Sequence, residues 1–267
     1  MSEIQNYTNI LDKSSCDRDK RLGLSIKIEI ITTFYDGPTL SHFKSEVLLE
    51  EQIKFISACV IQSFKDIRKY KIIHRDLTYL NVIMDKNNYF NLIDFSFSVD
   101  YDNRKLEKLK CNRDANDTAP EIRRNIDYSY NSDYYRLGQL ILFLIFKEYP
   151  LNLEQIGNKN DLIKNKNYSE ELFNFVRETT KENKKERLGY KDIGELMNHP
   201  WFNGFNWKKL EKKQVISPFN NNKIKINSSI CSRFNKNIKD VERYLIIRNS
   251  IYNRKLIKLF EFSKYDI

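Results

Sequence analysis

Asp76, Asn81 and Asp94 are the residues whose types and spacing could do chemistry. They lie in "IIHRDLTYLNVIMDKNNYFNLIDFSFS" (72–98), where two short apolar runs, "NVIM" and "YFNLI", flank the turn signal "DKNN". Such a pattern predicts a β-hairpin. Asp76 and Asn81 precede its first strand and Asp94 follows its second, so the hairpin brings all three polar groups to one end. Two carboxylates and an amide oxygen are hard ligands, and their spacing suits magnesium ions held against the phosphates of a nucleotide.

Several elements must hold that hairpin in place. Between Leu49 and Tyr70, apolar residues at Ile53, Ile56, Val60, Phe64 and Ile67 recur at intervals of three and four, which predicts an amphipathic helix ending just before the motif. Residues 133–150, "DYYRLGQLILFLIFKEYP", are apolar on nearly every side after the first turn, the pattern of a helix buried all round. Two further amphipathic stretches follow near 169–182 and 190–198. "LSIKIEIITTFY" (24–35), closed by "DGP", reads as a strand and a turn, whereas "NKNDLIKNKN" (158–167) and "NNNKIKIN" (220–227) read as surface loops. The expected fold is mainly α, within the α+β class: a helical bundle carrying one small hairpin.

Composition bounds the alternatives. A chain of 267 residues with 40% hydrophobic and 31% charged residues can bury a core and still present a polar surface. Cys16, Cys59, Cys111 and Cys231 form no CxxC pair and do not cluster with the three histidines, so neither a disulfide framework nor a zinc site is expected and a reducing intracellular compartment is. The longest apolar run, "LILFLIF" (140–146), is far shorter than the roughly 20 residues of a membrane span. The net charge of +10 comes from lysines spread along the whole chain, without the aromatic and basic pattern of a nucleic-acid-reading module, so nucleic-acid binding is not expected. Seven glycines leave little material for a Gly-rich phosphate loop.

In order along the chain, "HRDLTYLN", "DFS", "APE", "DYYRLG" and "ERLG" resemble the signature of the large C-terminal lobe of eukaryotic protein kinases. "HPWFNGFNWKKLEKKQVISPF" (199–219) resembles the end of that lobe and the start of the C-terminal tail in the AGC serine/threonine group, and "LFEFSKY" (259–265) loosely resembles that group's hydrophobic tail motif. The resemblance implies small-lobe strands and hinge over 1–36, the large lobe over 37–202 and a tail over 203–267. It implies ATP and Mg²⁺ as cofactors and a protein hydroxyl as acceptor, in the cytoplasm or nucleus. Asp76 would orient the hydroxyl, and Asn81 and Asp94 would hold magnesium. Arg75 would meet a phosphorylated activation loop. Asp133 would accept from the backbone around His74 and Arg75, Phe95 would occupy the middle of the DFG-like triplet, and Glu121 would pair with Arg187.

The sequence departs from this pattern at several places. "YTNIL" (7–11) resembles the entry to the fourth small-lobe strand, so this chain is expected to lack the Gly-rich loop, the strand Lys and its helix Glu that precede that strand in the family; Lys27 comes too late to be that Lys. Thr78 stands where the catalytic loop usually carries Lys, Ser96 replaces the DFG glycine, and "CNRDANDTAPE" (111–121) departs from the usual activation segment. Thr39, Leu80 and Phe143 occupy positions where relatives that prefer basic substrates carry carboxylates. Ser96, Ser98 and Tyr101 are the candidate phosphoacceptors near the DFG-like triplet. Two functions follow as expectations, a truncated AGC-type kinase and a catalytically dead pseudokinase acting as an interaction module.

Overall fold

The computed structural model describes residues 35, 37–102, 117–124, 128–149 and 168–219. The expected strand over 24–35, apart from Tyr35, lies outside them, as do the loops at 158–167 and 220–227 and the tail motif at 259–265. The described residues are helix-rich, with short antiparallel strands.

The long helix α1 (Glu50–Lys69) opens with two acidic and closes with two basic residues, a charge order that complements the helix dipole. Ile53, Ile56, Val60 and Phe64 are buried and Ile67 is partly buried, as their spacing predicts. Strands β1 (Ile72–Ile73), β2 (Val82–Met84), β3 (Phe90–Leu92) and β4 (Val99–Asp100) follow. β2 and β3 form the expected hairpin, with Ile83 opposite Asn91. The turn is closed by Asp85, whose Oδ1 accepts from the backbone of Asn87 and Tyr89, while Asn88 takes the left-handed conformation (φ 61°) that Asn tolerates. β1 and β4 form a second, two-residue pair that the sequence pattern did not signal.

The short helix α2 (Pro120–Arg123) begins at the "APE" proline. Helix α3 (Tyr130–Phe146) is buried at every position from Asn131 to Ile145, so the expected central post is present; it begins three residues earlier and ends four residues sooner than the apolar run suggested. The helix stops where Lys147 turns left-handed (φ 67°). Helix α4 (Glu170–Thr179) is capped by Ser169, whose Oγ accepts from Leu172 N. Of the stretch near 190–198, only α5 (Gly194–Met197) is helical. A 3₁₀ turn (Pro200–Phe202) and α6 (Trp207–Glu211) complete the described chain.

One main core joins α1, α3, α4, α6 and the β2–β3 hairpin. Glu50 at the start of α1 locks the base: its carboxylate accepts from Ser169 N (2.6 Å), Ser169 Oγ (2.5 Å) and Trp201 Nε1 (2.9 Å). The residues before α1 reach the hairpin through Pro38, whose carbonyl accepts from Met84 N (2.9 Å). A Cβ at Gly37 would stand 1.9 Å from the Met84 carbonyl oxygen, so only glycine permits that approach.

Beyond α6 the chain returns to the hairpin. Lys213 donates to Asp85 (2.6 Å), Tyr89 OH donates to Val215 O (2.5 Å), Ser217 Oγ donates to Asn88 O (2.9 Å), and Phe219 inserts edge-on against Phe43 and Phe90. Phe219 is 1% exposed. Phe219→Ala is expected to cost about 3–5 kcal/mol in urea unfolding; a loss below about 1 kcal/mol would mean that this segment is not part of the folded core.

Candidate active site

The functional side chains stand on the loop between β1 and β2 and on the residues after β3. This loop is held from beneath by α3. Asp133, in the first turn of that helix, accepts from His74 N and Arg75 N, both at 2.8 Å, one on each carboxylate oxygen. Burial pushes the Asp133 carboxyl up to about 6, against the two backbone donors and the positive charges of Arg136 and Arg75. Arg75 itself is left-handed (φ 69°), a conformation costing a non-glycine residue of the order of 1 kcal/mol. The two bonds to Asp133 help to hold it there.

His74 is fully buried and joins the β1–β2 loop to the residues after β3. Its Nε2 lies 3.1 Å from Ile93 O, its Nδ1 accepts from Asp76 N (3.2 Å), and its ring meets Phe95 edge-on. This arrangement needs a neutral ring with the proton on Nε2, because a proton on Nδ1 would face the Asp76 N–H. Burial accordingly lowers the His74 pKa to about 4. The unfolded chain protonates near 6.5, so stability from neutral His74 is lost as pH falls from about 6.5 toward 4, by about 3 kcal/mol in all. Asp133, whose folded pKa is raised, works in the opposite sense over roughly pH 6 to 4, so the wild-type curve alone is flattened. His74→Phe should therefore lose less stability than the wild type between pH 6.5 and 4; parallel curves in urea titrations at each pH would contradict a neutral buried His74.

Asp76 and Asn81 are in contact. Asn81 Nδ2 donates to Asp76 O (2.9 Å) and to Asp76 Oδ2 (2.8 Å). With the NH₂ committed to Asp76, the Asn81 amide oxygen is the atom that can meet a cation. Ile93 N donates to Asn81 O (2.9 Å), which ties the two ends of the hairpin and brings Asp94 beside the loop. Asp94 is left-handed (φ 63°), and its Oδ1 accepts from Ser96 N (3.1 Å) and Ser96 Oγ (2.6 Å). Ser96, standing where the family has the DFG glycine, thus places its hydroxyl on one oxygen of the carboxylate. A carboxylate oxygen of Asp94 and the amide oxygen of Asn81 are a hard, incomplete donor set, which fits Mg²⁺ completed by waters and phosphate oxygens.

Burial raises the Asp76 pKa, opposed by the charge and hydrogen bond of Arg136 and by Asn81. Arg136 was not singled out in the sequence, although a cation three residues after Asp133 on the same helix, and so on the same face, was the available clue. Its Nη1 donates to Asp76 Oδ1 (3.1 Å). Arg75 turns the other way: its Nε donates to Phe97 O and its guanidinium lies over the Tyr128 ring. The activation-segment residues 103–116 lie outside the described residues.

Further from the site, Arg187 Nη1 and Nη2 donate to Glu121 Oε1 (2.6 Å) and Oε2 (2.9 Å) in a buried two-pronged pair. Burial works against ionised Glu121, and the Arg187 bonds outweigh it, so its pKa lies below the usual value. Among the candidate phosphoacceptors, Ser98 is buried with its Oγ donating to His74 O and Tyr101 is stacked on Tyr130, whereas Ser96 is exposed. Of the three positions where relatives of basic specificity carry carboxylates, Phe143 is stacked under Tyr79 (4.3 Å between rings) and Leu80 is 53% exposed. Thr39 Oγ1 lies 2.6 Å from Ser41 Oγ. Buried Cys59, its thiol pushed up to about 12 by burial, is no nucleophile. Among the described residues no helix is long and apolar enough to cross a membrane.

Comparison with known proteins places this geometry in a family. The family model described as "Protein kinase domain" matches residues 9–202. The chain is 28% identical over 179 residues to cGMP-dependent protein kinase 2 of Rattus norvegicus, covering 63% of this chain and 23% of that protein. It is 27% identical over 191 residues to serine/threonine-protein kinase N2 of Danio rerio, covering 68% of this chain and 20% of that protein. With the probable cAMP-dependent protein kinase catalytic subunit of Encephalitozoon cuniculi it shares 27% over 214 residues, 77% of this chain and 66% of that protein. The chain thus spans about a quarter of the length of the first of these relatives. With a kinase-domain match over most of its length and relatives of this kind, the chain belongs to the protein kinase family and is of the AGC type.

Proposed function

We propose that this chain carries the phosphoryl-transfer site of a serine/threonine kinase, in which Asn81 and Asp94 hold Mg²⁺ against the phosphates of ATP and Asp76 orients a protein hydroxyl. The observation that carries this reading is the convergence of the three residues: Asn81 bonds Asp76 through its side chain and Ile93 through its backbone, placing Asp94 beside both. Bound Mg²⁺ would neutralise charge on the phosphates. The chain's own part is positional. Asp133 fixes the loop backbone, His74 bridges to Ile93, and Asp76 offers a carboxylate whose plane is set by one donor on each oxygen. ATP and a protein acceptor imply an intracellular setting, and we place the protein in the cytoplasm.

A second reading, a pseudokinase acting as an interaction module, draws on other contacts. Thr78 offers no charge to a phosphate, Ser96 occupies Asp94 Oδ1, and Asp76 is already paired with Arg136. A nucleotide-binding test separates the two. Mg²⁺·ATP at about 100 times Kd should stabilise the wild type by about 2.7 kcal/mol through mass action, read as a rise in Tm, and Asp94→Asn should abolish the rise. Equal shifts in both proteins would reject the assigned role of Asp94, and no shift in either would favour the interaction module.

A further inference from the structure

We propose that Arg136 is a positioning residue for Asp76: a cation delivered from helix α3 that fixes the Asp76 carboxylate and ties it to Asp117 and Thr118 at the start of the "APE" segment. The inference rests on the reading of Asp76 given above, and it assigns to α3 a task at the reacting end of the site beyond holding the loop backbone.

Three observations carry it. First, the Asp76 carboxylate is gripped at both oxygens by different elements, Oδ2 by Asn81 (2.8 Å) and Oδ1 by Arg136 Nη1 (3.1 Å), so removing either donor frees the group to rotate. Second, the loop bearing Asp76 brings no cation to that carboxylate. Thr78 Oγ1 accepts from Leu80 N (3.3 Å), and Arg75 is turned toward Phe97 and Tyr128. Third, Arg136 is 7% exposed, and a guanidinium so buried must be held by specific partners. Buried Asp117 is also within reach of Arg136, and a fork turned wholly toward it would leave Asp76 without a cation. Instead the fork is divided: Nη2 reaches Thr118 Oγ1 at 3.4 Å and Asp117 Oδ1 at 3.8 Å, while Nη1 makes the shorter approach to Asp76. The planar guanidinium can bridge two groups in this way where a lysine ammonium is a single point. The orientation of Asp76 is thereby linked to the placement of residues 117–118, the first described residues of the activation segment after 103–116.

The test is ligand-free, so its failure is distinguishable from a failure to bind nucleotide. The full chain, ¹⁵N-labelled, is compared as wild type, Arg136→Lys, Arg136→Met and Asp76→Asn by NMR of the Arg136 guanidinium and the Asn81 side-chain amide. The Asn81 amide signals are expected to move in Arg136→Met, when Asp76 is released, and to return toward their wild-type positions in Arg136→Lys. Asn81 signals that superpose in wild type and Arg136→Met, or that are displaced equally in Arg136→Lys and Arg136→Met, would overturn the proposal. Should Arg136→Met fail to fold, Asp76→Asn decides: the Arg136 Nη1 signals must move, and unchanged signals overturn it. Should neither variant fold, ¹³C,¹⁵N-labelled wild type decides alone: a hydrogen-bond coupling between Arg136 Nη1 and the Asp76 carboxylate carbon is expected, and a coupling to Asp117 with none to Asp76 overturns the proposal.

Discussion

Arg187→Met is expected to destabilise the fold by about 3–5 kcal/mol, the cost of leaving a buried charge without its partner. Methionine fills much of the volume, so the loss is electrostatic before it is steric. In the wild type Arg187 gives two bonds to Glu121 and further ones to the carbonyls of Asn131 (2.9 Å), Lys181 (3.0 Å) and Glu182 (3.3 Å), with its guanidinium over the Tyr135 ring. After the substitution Glu121 keeps Ser132 Oγ (3.0 Å), and burial then acts on it unopposed by a cation. The pH dependence supplies a second check. Wild-type Glu121 has a folded pKa below its unfolded value, so its contribution is present above about pH 4.5 and is lost on acidification through the folded pKa. In Arg187→Met the burial effect raises that pKa, so the deficit should begin to narrow above about pH 4.5, as the mutant's Glu121 takes up a proton, and narrow further below it, as the wild type loses its contribution. Adding Glu121→Gln to Arg187→Met should recover part of the loss. Urea unfolding of the four proteins in a double-mutant cycle measures both effects, and additive losses would mean that the pair is not coupled.

Asp76→Asn is expected to slow phosphoryl transfer by about 10²–10⁴-fold while leaving nucleotide binding in place. Asparagine keeps the shape and an oxygen that can accept from Asn81, but it can neither take a proton nor present a charge to an incoming hydroxyl. The magnesium donors assigned to Asn81 and Asp94 are untouched, so the Tm rise with Mg²⁺·ATP should survive. Single-turnover rates with saturating nucleotide separate the two steps: a rate unchanged by Asp76→Asn would remove Asp76 from the chemistry, and a lost Tm rise would assign it to nucleotide binding instead.

The sequence carried the parts of the fold that depend on periodicity. The spacing of Ile53, Ile56, Val60 and Phe64 marked the buried face of α1, and the all-round apolarity of residues 133–150 marked α3 as a central post. The hairpin was legible because "DKNN" is strong turn chemistry between two apolar runs. Less was legible where structure comes from tertiary contact. The β1–β4 pair is two residues long on each side, too short for a period, and the stretch near 190–198 shortened to Gly194–Met197. The identities of Asp76, Asn81 and Asp94 could be read from type and order. The bond of Ser96 to Asp94 and the reach of Arg136 from α3 could not, because each depends on side-chain direction: Asp94 is left-handed, and Arg136 meets Asp76 across 60 residues of chain.

The measurement that tests the central claim most directly is transfer of label from γ-labelled ATP to protein hydroxyls by the full chain, with and without Mg²⁺, followed by identification of the modified amino acid. The account predicts Mg²⁺-dependent label on serine or threonine. A protein that binds Mg²⁺·ATP, shown by its Tm, yet transfers no label to any of a broad set of serine and threonine peptides would contradict it, and the geometry around Asp76 would then belong to an interaction module.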